Sequence, residues 1–473
     1  MSNSAQPNYN GIPVQKSVYL FFGKAVPVLM LFLITILYSR RLSYHDYGTF
    51  QSVWMYANLL NVITGFGVTS LLLSSNLSSL AAFIKRHLLK IICAYSVLWI
   101  AAMTIFLLYG KNFSTAVKSL LILFVLIQSI SIVLETILIK FHKERIVFLI
   151  SFIYSLLFFG WHYYILLNGF SLHKLIEGII ILSVARFIAM CFFRQKTTIA
   201  EEPLNDNRYF KHWVFLGFND ITGVLSRWID KLLLVYLLTP AEFALFFNGS
   251  FEIPLFGLLV SVAGSVMLIE ISKSLSAKTK VIHLFTESFR LLSLIVFPLF
   301  LFLLFFRTEL FAVIFKNKYD ASIPIFLISI FILPIRINNY GSILQYYQQG
   351  NKIMAGSVLD IGVAIILMIL LYPFFGTGGI ALAIVTATYC QVFYYMWQSA
   401  KVLHTAILSL IPIKALTVTF LITLVLYACL YYSLYKVADN VKLLAAVIAT
   451  GIFISIGLYL YFSKKRSITY GLI

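Results

Sequence analysis

Four charged side chains lie within one stretch that is long enough to cross a bilayer, GFNDITGVLSRWIDKLLLVYLLT at residues 217–239. They are Asp220, Arg227, Asp230 and Lys231. A charge at the centre of a bilayer costs about 2.5–3.5 kcal/mol even on lenient insertion scales, so charges within a span usually face protein or water and serve a function.

These four residues form one face of a helix, which we call the polar stripe. At about 100° per residue, Asp220, Arg227 and Lys231 fall within about 40° of one another, and Asp230 lies about 60° from Arg227. We expect the polar stripe to line a cavity, because Lys231 extends it beyond any simple pair. The alternative is that Arg227 pairs with Asp230 or Asp220 and fastens the helix to a neighbour.

Further charges lie away from the ends of the apolar segments. With the polar stripe, six cations oppose three carboxylates, so the interior is predicted to be net positive and to suit a negatively charged passenger. Arg186 and Arg290 are single cations that either pair within the packed core or stand near the cavity. The additional residues are Lys24, Arg186, Arg290, Arg336 and Asp360.

Arg336 stands in an unusually polar run, ILPIRINNYG at residues 332–341. It follows Pro334, which can bend a helix and free backbone carbonyls to line a cavity. Polar packing between helices is the other interpretation. Asp360 either couples transport to an ion by titrating or neutralises Arg336 or Arg290.

The composition predicts the class of element that carries these charges. Of 473 residues, 61% are hydrophobic and 11% charged, and the mean hydropathy is +0.95, whereas a soluble domain is about 25% charged. Only helices and closed barrels cross lipid, and the apolar runs are too long for barrel strands. The sequence therefore predicts an all-α integral membrane protein of about 14 transmembrane helices. The predicted spans are 18–38, 50–74, 88–110, 116–139, 146–168, 172–193, 213–238, 250–272, 284–306, 322–345, 354–374, 379–400, 410–432 and 441–462.

Lys and Arg in the loops predict the orientation. With the N-terminus inside, the cytoplasmic segments hold 18 of these residues and the outer segments hold ten. The excess places both termini in the cytoplasm. The net charge of +19 then indicates attraction to anionic lipid rather than nucleic-acid binding. We find no motif for a metal or cofactor and predict none.

An internal repeat relates the two halves. LSYHDYGTFQSVW (42–54) aligns with LTPAEFALFFNGS (238–250) at an offset of 196 residues. Six helices appear twice in the same order. Because six is an even number, both copies start on the same side of the membrane, and the halves are predicted to be parallel repeats around a central cavity. The predicted parts are an N-terminal six-helix lobe (1–195), a cytoplasmic linker (196–212), a C-terminal six-helix lobe (213–403), and two extra helices with a cytoplasmic tail (404–473).

The repeat aligns Lys24 with Asp220. If the halves pack symmetrically, these residues face each other at similar depth, and we hypothesise a pair that forms when the cavity opens outward. The alternative is that each pairs within its own half. Asp220 is also a candidate for ion coupling.

Three segments resemble signatures of the polysaccharide-biosynthesis flippases, within the multidrug/oligosaccharidyl-lipid/polysaccharide exporter superfamily. They are SRRLSYHDYGTFQSV (39–53), SRWIDKLLLVYLLTPAEFALFFNGSFEIP (226–254) and QGNKIMAGSVLDIGVAIILMILLYPFFGTGGIALAIVTA (349–387). The resemblance implies a bacterial inner-membrane flippase for a polyprenyl-(pyro)phosphate-linked oligosaccharide, working by alternating access in O-antigen, capsule or exopolysaccharide synthesis. It implies membrane lipid and polysaccharide polymerase or assembly proteins as partners.

Two other functions compete with this one. A multidrug exporter of the same superfamily would move organic cations and should favour an acidic cavity, against the excess of deep cations. A membrane polymerase or glycosyltransferase typically needs a long outer loop with catalytic groups, and no predicted loop exceeds about twenty residues. We therefore expect a transporter rather than an enzyme.

Overall fold

The computed structural model describes residues 14–74, 77–110, 113–193, 206–250, 278–347 and 349–470, and every regular element within these ranges is helical. The helices are α1 Val14–Arg41, α2 Tyr44–Gly65, α3 Val68–Ser74, α4 Leu77–Tyr109, α5 Thr115–Lys140, α6 Glu144–Leu167, α7 Leu172–Phe192, α8 Asp206–Leu237, α9 Pro240–Gly249, α10 Lys278–Phe305, α11 Arg307–Phe315, α12 Ile323–Ser329, α13 Ile332–Ile335, α14 Ser342–Tyr346, α15 Gly350–Leu403, α16 Ile413–Ser433 and α17 Asp439–Tyr470.

The all-helical membrane fold is confirmed. Within the described ranges, eight helices are long and apolar enough to cross a membrane by length and composition. The helix Gly350–Leu403 counts once among them but contains two predicted spans. The span predicted at 250–272 lies outside the described residues, apart from its first position.

The segment GTGG at residues 376–379, which falls between the predicted spans 354–374 and 379–400, forms a reversal within α15. Gly376 has φ 54° and ψ −137°, a region that is essentially restricted to glycine. The two arms then pack antiparallel. One contact that joins them is the hydrogen bond from the Tyr395 hydroxyl to the Ile353 carbonyl at 2.9 Å. A Cβ added to Gly379 would lie 2.5 Å from the Leu371 carbonyl oxygen, so the turn itself requires a small residue.

Two predicted spans are broken rather than continuous. The span 50–74 divides into α2 and α3 at Phe66 and Gly67, which both have positive φ. A Cβ on Gly67 would lie 2.4 Å from the Gly217 nitrogen, so α8 approaches the break closely. The span 322–345 divides into α12, α13 and α14, because a polar run follows Pro334 and ends the helix at Arg336.

The chain divides into two compact units. The N-terminal unit comprises residues 1–42 and 52–224, and the C-terminal unit comprises 43–51 and 225–473. The long helix α8 therefore contributes its first part to one unit and its last turns to the other.

The N-terminal unit is built from packed helix pairs. Helix α1 lies against α6, and α7 packs on both α5 and α6. One polar contact fixes the first pair: the Tyr38 hydroxyl donates to the His162 carbonyl at 3.1 Å, with both residues fully buried. Ser114 and Ser171 cap the N-termini of α5 and α7, which defines where these spans begin.

The two repeat motifs start helices in the same way. The Ser43 hydroxyl accepts from the Asp46 amide at 3.0 Å, and the Thr239 hydroxyl accepts from the Glu242 amide at 3.3 Å. Residues at the offset of 196 thus cap α2 and α9 with one geometry. This local symmetry agrees with two parallel repeats.

The two motifs also contact each other within the C-terminal unit. A Cβ on Gly48 would lie 1.8 Å from the Pro240 carbonyl oxygen, so α2 meets the start of α9 at backbone distance. The buried Tyr47 hydroxyl donates to the Asn248 side chain at 2.7 Å.

The last two helices pack on α10 in the C-terminal unit. Lys442 of α17 forms an ion pair with Glu309 of α11, with side-chain exposures of 7% and 5%. Further along α17, the Tyr461 hydroxyl donates to the Glu287 carboxylate of α10 at 2.7 Å. Polar contacts therefore fasten α17 near both of its ends.

Candidate cationic cavity in the C-terminal unit

A cavity of about 490 Å³ lies within the C-terminal unit. Its walls come from the last turns of α8, from the broken segment α12–α14, and from both arms of α15. Arg227, Asp230, Lys231 and Arg336 all line it. The structure thus brings together three of the predicted cations and one predicted carboxylate.

The α8 residues lie on one side of the helix, as the polar stripe predicts. Asp230 is 3% exposed and accepts from the Lys231 ammonium at 2.9 Å. The same ammonium lies 5.7 Å from the centroid of the Trp228 ring, within the range of a cation–π contact. Lys231 is therefore held by a carboxylate and an indole, while Arg227 lies one turn earlier on the cavity wall.

Arg336 reaches the cavity because the helix ends there. Its amide donates to the Ile332 carbonyl at 3.0 Å and closes the single turn of α13, and its ψ of 25° leaves the helical region. Asn338 then accepts from the Ser288 hydroxyl at 2.9 Å and donates to the Phe285 carbonyl at 3.2 Å. The polar run thus both packs against α10 and lines the cavity. The two interpretations of this run, a cavity lining and polar packing between helices, are therefore compatible.

Asp360 stands beside the cavity wall on the first arm of α15. It is 6% exposed and accepts from the Ser226 hydroxyl, a residue that lines the cavity. Both roles predicted for Asp360, ion coupling and the neutralisation of Arg336 or Arg290, stay predictions.

The boundary between the two units, which follows Val224, separates Asp220 from the other three residues of the polar stripe. This residue lies in the N-terminal unit, where its carboxylate accepts from the Ser70 hydroxyl at 2.8 Å. It is not among the residues that line the cavity.

The other predicted cations lie elsewhere. Arg186 forms an ion pair with Glu135 and lies 4.9 Å from the centroid of the Tyr154 ring, within the N-terminal unit. The Arg290 side chain is 49% exposed and pairs with Glu287 at 2.6 Å, and it does not line the cavity. The side chain of Lys24 lies outside the described residues, so its suggested pairing with Asp220 stays a prediction.

Sequence reasoning missed the uncharged polar residues that the second arm of α15 brings to the cavity. Thr388, Gln391 and Tyr395 line the wall from this arm. Thr388, Gln391 and Tyr395 recur at spacings of three and four, which places them on one helical face. That periodicity was the available signal.

The cavity can bind an anionic group. Among the described residues that line it, three cations oppose one carboxylate, so this part of the lining is net positive. Guanidinium groups present forked donors that match phosphate oxygens. Its volume falls in the range of roughly 300–1,000 Å³ that is typical of ligand pockets. Among the described residues, no group of three or more His, Cys, Asp or Glu could hold a metal ion.

Comparisons with solved structures define the class of fold. The lipid II flippase MurJ in an inward closed conformation has a TM-score of 0.68 at 17% identity, covering 96% of this chain and all of that chain. An inward-facing multidrug resistance MATE family transporter of the MOP superfamily has a TM-score of 0.59 at 13% identity, covering 81% of this chain and 98% of that one. A MOP superfamily transporter from Pyrococcus furiosus has a TM-score of 0.59 at 14% identity, covering 83% and 96%. The chain has the fold of these membrane transporters.

The family follows from the sequence match. A model of the polysaccharide biosynthesis protein family matches residues 37–324. This range is more than half of the chain, and the chain belongs to that family. No curated protein matches it.

Proposed function

We propose that this protein is a flippase that moves an anionic polyprenyl-(pyro)phosphate-linked oligosaccharide from the inner to the outer leaflet by alternating access, for cell-surface polysaccharide synthesis. The observation that carries the proposal is the cavity lined by Arg227, Lys231 and Arg336 within a helical membrane unit. Cations within a membrane span are expensive in lipid, and an anionic head group would offset that cost.

The head group would bind through its phosphate oxygens. Arg227 and Arg336 would each donate two parallel hydrogen bonds to phosphate, whereas Lys231 would act as a compact charge held by Asp230. The polyprenyl tail would remain in lipid. No covalent bond changes during translocation, so the cavity cations only replace the water around the head group.

Asp360 and Asp220 are our candidates for ion coupling. Asp360 is buried and accepts a hydrogen bond from Ser226 on the cavity wall, so a change in its charge would alter the charge beside the cavity. We keep the pair of Lys24 and Asp220 as a proposed gate. A double-mutant cycle in a transport assay tests it, and zero coupling between the two would disprove it.

We further propose a bacterial inner-membrane location with both termini in the cytoplasm, and the four-part organisation predicted from the repeat. The excess of Lys and Arg in the predicted inner loops supports this orientation. Polysaccharide polymerase and assembly proteins are the proposed partners, because the translocated repeat unit must next be polymerised.

The test is genetic complementation. In a host lacking the gene, we expect polyprenyl-linked repeat units to accumulate on the inner face and the wild-type gene to clear them. Arg227→Ala should fail to clear them, whereas Arg290→Ala, outside the cavity, should succeed. Full complementation by Arg227→Ala would remove Arg227 from the mechanism. Sensitivity to organic cations without any trapped lipid would instead favour the multidrug exporter.

A further inference from the structure

The N-terminal unit contains a second cavity, which we call the apolar groove. It measures about 360 Å³ and lies between α2, α3, α4, α5 and α8. Its walls are almost entirely hydrocarbon and aromatic, with Val68, Leu71, Ile91, Trp99, Val133 and Ile137 as representative residues. It belongs to the other unit from the cationic cavity and shares no residue with it.

Polar groups on the wall of the apolar groove are already bonded to protein. The Thr64 and Ser129 hydroxyls lie 3.1 Å apart, and Ser129 donates to the Asn61 side chain at 3.0 Å. The Tyr95 hydroxyl donates to the Gly65 carbonyl at 2.5 Å, and the Trp213 indole donates to the Phe66 carbonyl at 2.8 Å. A ligand with its own hydrogen-bonding groups would gain little from this wall, whereas a hydrocarbon chain would fill it.

Three cations lie near residues that line the apolar groove, by contact in one case and by position along α4 in the other two. Lys85 and Arg86 are exposed and directly follow Ile84, which lines the groove. Lys140 follows the lining residue Ile137 by three positions on α5, and its ammonium donates to the Leu72 carbonyl at 2.6 Å, which holds it beside the wall. The loop counts place all three cations on the predicted cytoplasmic side.

We propose that the apolar groove binds one acyl chain of an anionic phospholipid, whose phosphate contacts Lys85, Arg86 and Lys140. Basic residues beside a space between membrane helices on the cytoplasmic side suit anionic head groups. Each methylene that enters the groove adds a favourable transfer term. The site would make the N-terminal unit sensitive to the lipid composition of its membrane.

A phospholipid is favoured over the polyprenyl carrier as the occupant. Occupancy depends on the ratio of concentration to dissociation constant, and phospholipid is the bilayer itself, whereas the carrier is a minor component. The nearby cations favour either of these anionic lipids over a neutral one, so the concentration is what separates the phospholipid from the carrier.

Photocrosslinking of the full-length protein tests the proposal. The protein is placed in phosphatidylcholine nanodiscs that contain a trace of phosphatidylglycerol with a diazirine in one acyl chain. A matched sample contains diazirine-labelled phosphatidylcholine. We expect phosphatidylglycerol to label peptides from α3, α4 and α5 more strongly than phosphatidylcholine does.

Two variants of α4 test where the acyl chain of the lipid binds. Ile91→Trp fills the apolar groove and should abolish labelling, whereas Val97→Trp adds the same bulk at a position that is 68% exposed and should leave it unchanged. Lys85→Gln and Arg86→Gln should each weaken phosphatidylglycerol labelling about fivefold, equivalent to about 1 kcal/mol per basic residue. Unchanged gel-filtration behaviour shows that each variant remains folded.

Three results would overturn the proposal. Equal labelling by the two phospholipids would remove the selection for charge. Undiminished labelling of Ile91→Trp would place the acyl chain of the lipid outside the apolar groove. Displacement of phosphatidylglycerol by an equal amount of polyprenyl phosphate would assign the groove to the transported lipid instead.

Discussion

Arg336→Gln should weaken binding of an anionic lipid-linked sugar. Glutamine keeps a planar, hydrogen-bonding end but removes the charge and one side of the guanidinium fork. The backbone turn at this position is closed by the amide of residue 336 and not by its side chain, so α13 should still form. The substitution therefore tests the charge rather than the break in the helix.

The magnitude follows from the charges on the wall. Among the described lining residues, Arg227, Lys231 and Arg336 oppose Asp230, so the substitution lowers the net charge of this set from +2 to +1. A hydrogen bond to a charged partner contributes about 1.5–3 kcal/mol, which predicts a dissociation constant about ten- to 150-fold higher. Asp230→Asn changes the charge in the other direction and frees Lys231 from its carboxylate at 2.9 Å. Because the pair lines a cavity, we expect binding up to about fivefold tighter.

The assay is equilibrium binding of a fluorescent polyprenyl pyrophosphate-linked disaccharide to the purified protein in detergent micelles, at low and high salt. Arg290→Gln is the matched control, since it makes the same chemical change at a half-exposed residue outside the cavity. Salt should reduce the difference between wild type and Arg336→Gln.

Two outcomes would refute this reasoning. If Arg336→Gln and Arg290→Gln bind the probe equally well, the cavity is not where the head group binds. If Asp230→Asn weakens binding as much as Arg336→Gln does, the cavity wall responds to disrupted packing rather than to its charge.

Three further substitutions test the frame around the cavity by thermal unfolding in detergent. Lys442→Met should lower the unfolding temperature strongly, because it leaves Glu309 buried and unpaired at a cost of about 3–5 kcal/mol. Adding Glu309→Gln should restore most of the lost stability. No recovery would contradict the loss of pairing as the cause. Gly48→Ala should lower both stability and transport, because its Cβ would lie 1.8 Å from a carbonyl oxygen at the start of α9; wild-type behaviour would show that the two helix starts separate freely. Gly376→Ala should cost about 1–3 kcal/mol because of its positive φ, whereas Gly362→Ala on the same helix has open space and should be neutral; equal effects would contradict the reversal at Gly376.

The helical spans and the reversal in α15 could be predicted because their causes are local. Apolar runs of span length define most helices to within a few residues, and the glycines at 376–379 mark the turn between two of them. The same local logic indicated a polar break near Pro334. It did not show that α2 ends at Gly65, because the break at Phe66 and Gly67 depends on the close approach of Gly217, 150 residues after Gly67.

The partners of the charged residues could not be predicted. Sequence periodicity placed four charges on one face of α8, yet Asp220 bonds to Ser70 in one unit while Asp230 pairs with Lys231 in the other. The partner of Glu309 is Lys442, 133 positions away. The contacts of Asp220 with Ser70 and of Glu309 with Lys442 are set by tertiary packing, and periodicity along a single helix contains no information about which distant residue supplies such a partner.

The first half of the chain shows that the fold itself does not require the cavity cations. At the repeat offset, Leu31 and Thr35 of α1 correspond to Arg227 and Lys231 of α8, and the Thr35 hydroxyl simply bonds back to the Leu31 carbonyl at 2.9 Å. The equivalent first helix is therefore built with an apolar side chain and a locally satisfied hydroxyl. Since a first helix can form without charges at these positions, helix formation alone does not account for the arginine and the lysine there. Asp230 offsets part of the cost of Lys231, and a bound anion would supply further compensation.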